Sequence, residues 1–404
     1  MINTNITIFS QIIHQLPRDI INSIIKEFKT DKHSKGINTW TQFVTMIFHQ
    51  FSRSRSIRET TNTLLSFEGN LNHLGILKKA PKKSSLSYLN KVRNCKVFEE
   101  IFNKLEEHFS GIINHKREKE GNRKKFKIKV PIYILDSSLL PLCASIFDWA
   151  HYKRAKGAVK LHLVLDYNTD LPRIAVITEG KKSDVKTAED DIDFSDLPKG
   201  SVLIMDRGYE SYNFLHKLDN NQISFVVRIK KTTGLIGCKE RELPKGKDYI
   251  LIDEKIKLEN KETREKYPKE LRHITMYIAK DDVTIEVLTN NFTWTAETIC
   301  NLYKCRWQIE SFFKCLKQNL KITSFLGTTA NAVFIQIWTA LITIMLIRFL
   351  KALATKSWAI SNLISFLQLH LLVKVDLKEL LNNPYKPPGE ELGVIQMTLY
   401  DKIY

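Results

Sequence analysis

Ile132-Tyr133-Ile134-Leu135-Asp136 is answered seventy residues later by Val202-Leu203-Ile204-Met205-Asp206, two apolar runs of strand length, each closed by a carboxylate. Runs without polar alternation belong to strands covered on both faces, as in the middle of an α/β layer. Around them, Val130–Leu135, Leu161–Leu165, Ile174–Ile177, Val202–Met205 and Ser224–Ile229 read as strands, and Asp184–Ile192 and Tyr212–Leu218 fit helices between the later ones. Three strands, a helix, a strand, a helix and a strand predict an α/β core over 130–231.

Outside this core the periodicity changes. Upstream, Ile20, Ile24, Ile25 and Phe28, then Phe43, Ile47 and Phe51, recur at helical spacing, so 1–115 reads as an all-helical domain. Pro17 and Ser56 mark helix starts, the second with Glu59 at capping-box distance. Residues 116–129 hold eight Lys or Arg in fourteen positions and read as a basic linker. Downstream, 232–290 alternates, as in Thr284-Ile285-Glu286-Val287-Leu288, and is expected to be a β-rich insertion rather than a continuation of the sheet. Helices are expected over Trp294–Leu320 and Ala332–Leu353, within a segment 291–354, followed by a C-terminal helical tail, 355–404, whose order ends at Pro384–Gly389. Ala332–Ile347 imitates a membrane span, but it contains Gln336 and runs into Arg348 and Lys351, so it reads as a buried helix.

The chain of 404 residues carries a net charge of +18, which points to a polyanionic partner more readily than to a small metabolite. Residues 1–130 hold 24 basic and 11 acidic side chains, so +13 of that excess lies in the first third. This asymmetry suggests a basic module that holds a polyanion, joined to a balanced one. Arg53, Arg55 and Arg58, and Lys78, Lys79, Lys82 and Lys83 beside Ser84, Ser85 and Tyr88, suit phosphate contact, although either cluster also reads as a solvated face. The six cysteines form no C-x-x-C pair and show no zinc-like spacing to His162 or His273, which argues against disulfides and zinc. With no basic segment ahead of a long apolar one at the start, a reducing cytoplasm is expected and no membrane partner.

Asp136 and Asp206 occupy the strand edge where open α/β sheets build sites. Each alone is also an ordinary turn former or helix N-cap. If their strands are neighbours the carboxylates meet, which is costly without a cation and predicts a hard divalent ion. A third acid comes from Tyr303-Lys304-Cys305-Arg306-Trp307-Gln308-Ile309-Glu310. On one continuous helix Tyr303, Arg306, Glu310 and Lys317 fall at about 0°, 300°, 340° and 320°. Leu302, Ile309, Phe313, Leu316 and Leu320 lie beside them at roughly 220° to 280°. A helix docked by that apolar face presents an acid, two bases and a phenol to one cleft. The plainer alternative is a surface Arg306–Glu310 pair.

Tyr-x2-Arg-x3-Glu-x6-Lys, met without a gap by Tyr303, Arg306, Glu310 and Lys317, resembles the signature of the IS4-family insertion-sequence transposases. Asp206-Arg207-Gly208-Tyr209 is similar to the block around that family's second acid. Asp136-Ser137-Ser138 resembles the first, and Lys156-Gly157-Ala158-Val159-Lys160-Leu161-His162 the strand after it. The resemblance spans residues 130–350, with the helical N-terminal third similar to the family's front domain. It implies an RNase H-like catalytic core with Asp136, Asp206 and Glu310 as catalytic, metal-holding acids, and a β-rich insertion between the last two. Two Mg²⁺ ions, with Mn²⁺ able to substitute, would serve phosphodiester attack. Tyr303, Arg306, Lys317 and Lys160 would hold DNA near the transposon end, with Arg53, Arg55 and Arg58 as contacts of the basic module. The implied partners are double-stranded DNA, as terminal inverted repeats and target, and a second copy of the chain when paired ends are bound. Some relatives pass through a hairpin intermediate; Trp294 is the nearest candidate to stack a flipped base, but its place at a helix start favours packing. The alternatives are another two-metal nuclease on this fold, which leaves the stripe around Glu310 unexplained, and an inactive DNA-binding derivative, against which the intact acids argue.

Overall fold

The computed structural model describes residues 4–32, 34, 36–66, 68–76, 79–120, 128, 130–143, 146, 147, 149–153, 156–230 and 233–385. Most of the basic linker, Lys78, and all but the first two residues of the expected break at Pro384–Gly389 lie outside them. In chain order the helices α1 (Ile8–Ile13), α2 (Arg18–Glu27), α3 (Thr39–Phe51), α4 (Ile57–Leu65), α5 (Lys83–Val92) and α6 (Lys96–Lys119) come first. Then follow β1 (Ile132–Leu142), β2 (His151–Lys153), β3 (Lys156–Asp166), β4 (Pro172–Glu179), α7 (Asp184–Asp190), β5 (Val202–Met205), α8 (Tyr212–Asn220) and β6 (Ser224–Arg228). The remainder comprises β7 (Leu235–Glu240), β8 (Ile250–Leu258), α9 (Lys261–Lys266), β9 (Leu271–Ile278), β10 (Val283–Thr289), α10 (Ala296–Lys304), α11 (Trp307–Asn319), α12 (Ala330–Leu353), α13 (Ile360–His370) and α14 (Leu377–Asn382). Contacts divide the chain into two compact units, one of residues 1–86 with 349–404 and one of 87–348.

The first unit is helical and built on α3, every residue of which is buried. The Asn38 side chain caps it by accepting the Thr41 N–H at 2.8 Å, and its one imidazole, His49, bonds Thr60 Oγ1 through Nδ1 at 2.9 Å. Phe9 packs edge-on against Phe48 and Phe51. The capping expectation holds at α4: Ser56 Oγ accepts the Glu59 N–H at 3.1 Å, while the Glu59 carboxylate reaches back to the Arg55 N–H at 2.8 Å. The segment from 355 is not a separate tail. The Ile8 and Phe9 N–H groups donate to the Val373 and Leu371 carbonyls, and Gln11 bridges the Val375 carbonyl and the Leu377 N–H. These backbone groups would otherwise be orphaned at a helix start, so the chain closes on itself.

The second unit is a ten-stranded mixed sheet ordered β2-β3-β1-β5-β6-β10-β9-β8-β7, with β4 also on β3. β5 lies parallel to β1 and to β6, all four of its residues fully buried, as an uninterrupted apolar run requires. Tyr133, Leu135, Leu203, Met205, Phe225 and Val227 share one core cluster with Phe214, Leu215 and Leu218 of α8. The pleat therefore turns Asp136, next after Leu135, to the opposite face. The 232–290 strands correct an expectation: they continue the sheet, because β10 takes the free edge of β6 in antiparallel register, Leu288 opposite Val227. Their alternation in sequence reflects a sheet covered less completely there, not a separate layer. α6 belongs to this unit rather than to the N-terminal helices, and it remains helical through Lys119, inside the expected linker. Its Phe102 packs on Trp338 and its Glu106 pairs with Arg173 of β4.

α12 is long and apolar enough to cross a membrane, yet 94% of its most apolar window is buried inside the protein, as a core helix is. Gln336 explains its own presence there: its amide donates to the Lys321 and Ser324 carbonyls at 2.5 and 2.7 Å, and its oxygen accepts the Leu326 N–H at 2.9 Å. One polar side chain thus satisfies the buried backbone of the loop before the helix.

Candidate active site

β1 and β5 align Leu135 with Met205, the last pair of their register, so Asp136 and Asp206 follow at the same level on adjacent parallel strands. The neighbour condition set by the sequence is met. β1, however, does not end at Asp136; its pairing with β3 carries it on to Leu142. Asp136 is a mid-strand residue whose Oδ1 accepts the Ser137 N–H at 2.8 Å. Asp206 starts the tight turn Arg207–Tyr209.

The third acid arrives on a broken helix. The single helix expected over Trp294–Leu320 is two, α10 and α11, because Cys305, Arg306, Gln308 and Ile309 bond to carbonyls three residues back rather than four. The stripe survives the break. Tyr303 OH donates to Asp206 Oδ1 at 3.4 Å, and Arg306 Nη1 lies 2.7 Å from Glu310 Oε1 and 3.9 Å from Asp136 Oδ2. Ile309, Phe312, Phe313 and Leu316 form the buried side of α11, as the helical spacing requires.

The electrostatics follow from this crowding. Burial pushes the Asp136 carboxyl up to about 6; the Ser137 N–H and Arg306 pull it down, and Asp206 and Glu310 push it further up. Burial raises the Tyr303 phenol to about 12, so it is a hydrogen-bond donor at neutral pH. Burial also works against the charge of Arg306, whose side chain is 11% exposed, but Tyr303, Glu310 and Asp206 outweigh it and hold the guanidinium above its usual range. Its Nε has no hydrogen-bond partner. Arg306 therefore stands among the acids as a counter-cation. Among the described residues no three His, Cys, Asp or Glu side chains close to metal-binding spacing. The charge pattern suits a cation; Arg306 fills that electrostatic role in this arrangement.

Lys317, two turns beyond Glu310, is half-buried, and burial lowers its amine. Lys160, expected at the DNA, is turned inward: its amine is bonded to Asp184 Oδ1 at 3.1 Å and to the Lys182 carbonyl at 2.8 Å, with 13% of the side chain exposed. Arg53, Arg55 and Arg58 are exposed around the start of α4 in the helical unit.

The family described as "Transposase DDE domain" matches residues 127–346, more than half the chain. This chain belongs to the DDE transposase family. A protein of Sinorhizobium fredii named as transposase y4zB is 32% identical over 67% of this chain and 71% of its own length. A Geobacillus stearothermophilus protein named for the transposase of insertion sequence element IS5377 is 29% identical over 61% of this chain and 64% of its own. A Synechocystis protein named for the transposase of element IS4SA is 25% identical over 72% and 78%. Residues 4–77 match a domain of unknown function. A solved piggyBac transposase synaptic complex with hairpin DNA aligns with 90% of this chain and 79% of its own at a TM-score of 0.43 and 9% identity.

One exposed aromatic beside Arg306 carries no reading from the sequence. Trp307, 62% exposed, lies with its ring 5.5 Å from the Arg306 guanidinium carbon. The signal was available: on the same helical wheel it falls at about 40°, far from the buried face. Trp294, by contrast, serves the fold through its backbone, its carbonyl accepting Arg272 Nη1 at 2.6 Å.

Proposed function

We propose that this transposase cuts DNA at the ends of its own element and joins the freed ends to a target, using Asp136, Asp206 and Glu310 to hold divalent metal. The observation that carries the reading is the aligned parallel pair of aspartates with Arg306 lodged between Asp136 and Glu310. Buried like charges at one strand edge persist only with a cation among them. DDE transposase domains use divalent metals, and Mg²⁺ bound by the three acids would polarise the scissile phosphate and activate the attacking oxygen. The strand order β4-β3-β1-β5-β6 supports an RNase H-like core for this chemistry.

The chain's own residues have distinct parts. Asp136 is held by the β1–β3 pairing and Asp206 directly follows the buried β5, so the edge that receives the phosphate is largely preorganised. Glu310 and Arg306 share one ion pair on α11; with Glu310 engaged elsewhere, the fork of Arg306 is free to grip a phosphate oxygen pair. The Tyr303 hydroxyl steadies Asp206. The unbroken Tyr303, Arg306, Glu310, Lys317 spacing supports placement among IS4-type enzymes. Trp307 offers a base an exposed aromatic face beside the same guanidinium.

The test is a labelled duplex carrying the inverted repeats that flank the coding sequence, incubated with Mg²⁺ or Ca²⁺ and sized on a gel as nick, hairpin or blunt cut. Asp206→Asn, Asp136→Asn and Glu310→Gln are each expected to lower cleavage at least about a thousandfold, some 4 kcal/mol in the barrier, while the duplex still binds. A variant that cuts at the normal rate removes that acid from its role.

A further inference from the structure

Behind the two aspartates lies a polar cluster that the chemistry above leaves unused. Asp184, the first residue of α7, accepts the Ser137 hydroxyl at 2.7 Å and the Lys160 amine at 3.1 Å on one oxygen, Oδ1. Its other oxygen faces the turn after Asp206, where a Cβ added to Gly208 would lie 3.8 Å from Oδ2. Ser137 directly follows Asp136, and Gly208 lies two residues after Asp206. Asp184 thus bonds the segment that carries Asp136 and lies beside the turn that follows Asp206. His162, opposite Ser137 in the β1–β3 register, is fully buried with Nδ1 3.8 Å from Asp184 Oδ1 and Nε2 3.0 Å from Thr178 Oγ1. Burial pushes this imidazole down to about 4, so it is neutral and Lys160 supplies the positive charge beside Asp184.

The strand geometry explains why such a residue is needed. β1 and β5 stop pairing at Leu135 and Met205, so from Asp136 onward β1 has lost its parallel neighbour and is held by β3 alone on the other side. An unpaired strand edge bearing a metal-ligand acid wants another tether, because outer partners set the orientation of the groups that bind.

We propose that Asp184, with Lys160 as its counter-ion, is a positioning residue that bonds Ser137, packs beside the Arg207–Tyr209 turn, and so holds Asp136 level with Asp206 for joint metal binding. This rests on the reading of the three acids as the metal site. Lys160 then serves the site from within, which accounts for its burial in a basic protein with ample exposed lysine.

Mn²⁺ binding to the full-length protein, followed by electron paramagnetic resonance, gives a readout apart from turnover. Asp184→Ala is expected to weaken Mn²⁺ about 10- to 100-fold and to lower the cleavage kcat by a similar factor, recovering as Mn²⁺ is raised, with KM for the flanking-repeat duplex unchanged. Asp184→Asn, which keeps an acceptor oxygen for Ser137, should regain most of the loss. Wild-type Mn²⁺ affinity in a folded Asp184→Ala protein overturns the proposal. If that variant does not fold, Ser137→Ala decides: weakened Mn²⁺ binding supports the tether and unchanged binding overturns it. Should Asp206→Asn leave Mn²⁺ binding intact, the metal-site reading itself fails and takes the proposal with it.

Discussion

Two arginines of the second unit, Arg272 fully buried and Arg306 half-buried, contrast a part of the molecule that holds the sheet together with the part proposed for chemistry. Arg272, on β9, is 1% exposed and saturated: Nε and Nη2 grip both oxygens of Asp253 at 2.8 and 2.7 Å, and Nη1 donates to the Asn291 and Trp294 carbonyls. Arg306 is shared between two acids, one of them at 3.9 Å, with Nε unpartnered and an indole open to solvent beside it. A closed pair has no capacity left for a ligand and a fixed geometry to protect. An open one has spare donors and acids that remain crowded, which is the condition for exchanging a protein contact for a phosphate or a metal.

The contrast breaks most visibly if the closed pair is removed. Arg272→Leu leaves buried Asp253 with only the looser Arg241 contact, Nε at 3.5 Å, and frees two carbonyls ahead of α10, so unfolding by denaturant should show a loss of up to about 3–5 kcal/mol. A loss under 1 kcal/mol would mean that the pair is not what fixes this region.

The crowded acids should behave in the opposite sense. The folded Asp136 carboxyl titrates near 6 against an ordinary 3.8, so between those values the folded chain keeps a proton that the unfolded chain has released. Stability from this group is present at low pH, falls as pH rises through that window, and stays lost above about 6. In metal-free protein Asp136→Asn should therefore be the more stable form at neutral pH, by up to about 3 kcal/mol, with the gap closing below about pH 4. Melting curves at several pH values check this; a variant less stable than wild type at pH 7 would show that Asp136 contributes more as an acceptor than it costs as a charge.

Smaller effects sharpen the open side. Trp307→Ala should weaken the end complex by about 1–3 kcal/mol if a base stacks there, measured by fluorescence titration, and leave melting unchanged. Unaltered affinity would make Trp307 an exposed side chain and no more. Arg306→Gln should lower the slope of log affinity against log salt by about 1, one phosphate contact, whereas an unchanged slope returns Arg306 to a purely internal pair.

Which segments become strands was legible in the chain, because Ile132–Leu135 and Val202–Met205 are too apolar to be half-exposed and end in charges that cannot follow them inward. So was the run from Tyr303 through Arg306 to Glu310, which meets the aspartates across a break that periodicity could not foresee. What sequence left open was decided by pairing across the fold. Only the register of β1 on β5 puts Asp136 and Asp206 at one level, only the free edge of β6 turns an apparent insertion into more sheet, and only burial reveals that Lys160 faces Asp184 rather than solvent. Local pattern fixes which face of an element is apolar, but which element covers that face depends on contacts between residues far apart in the chain, and a single sequence carries no record of those.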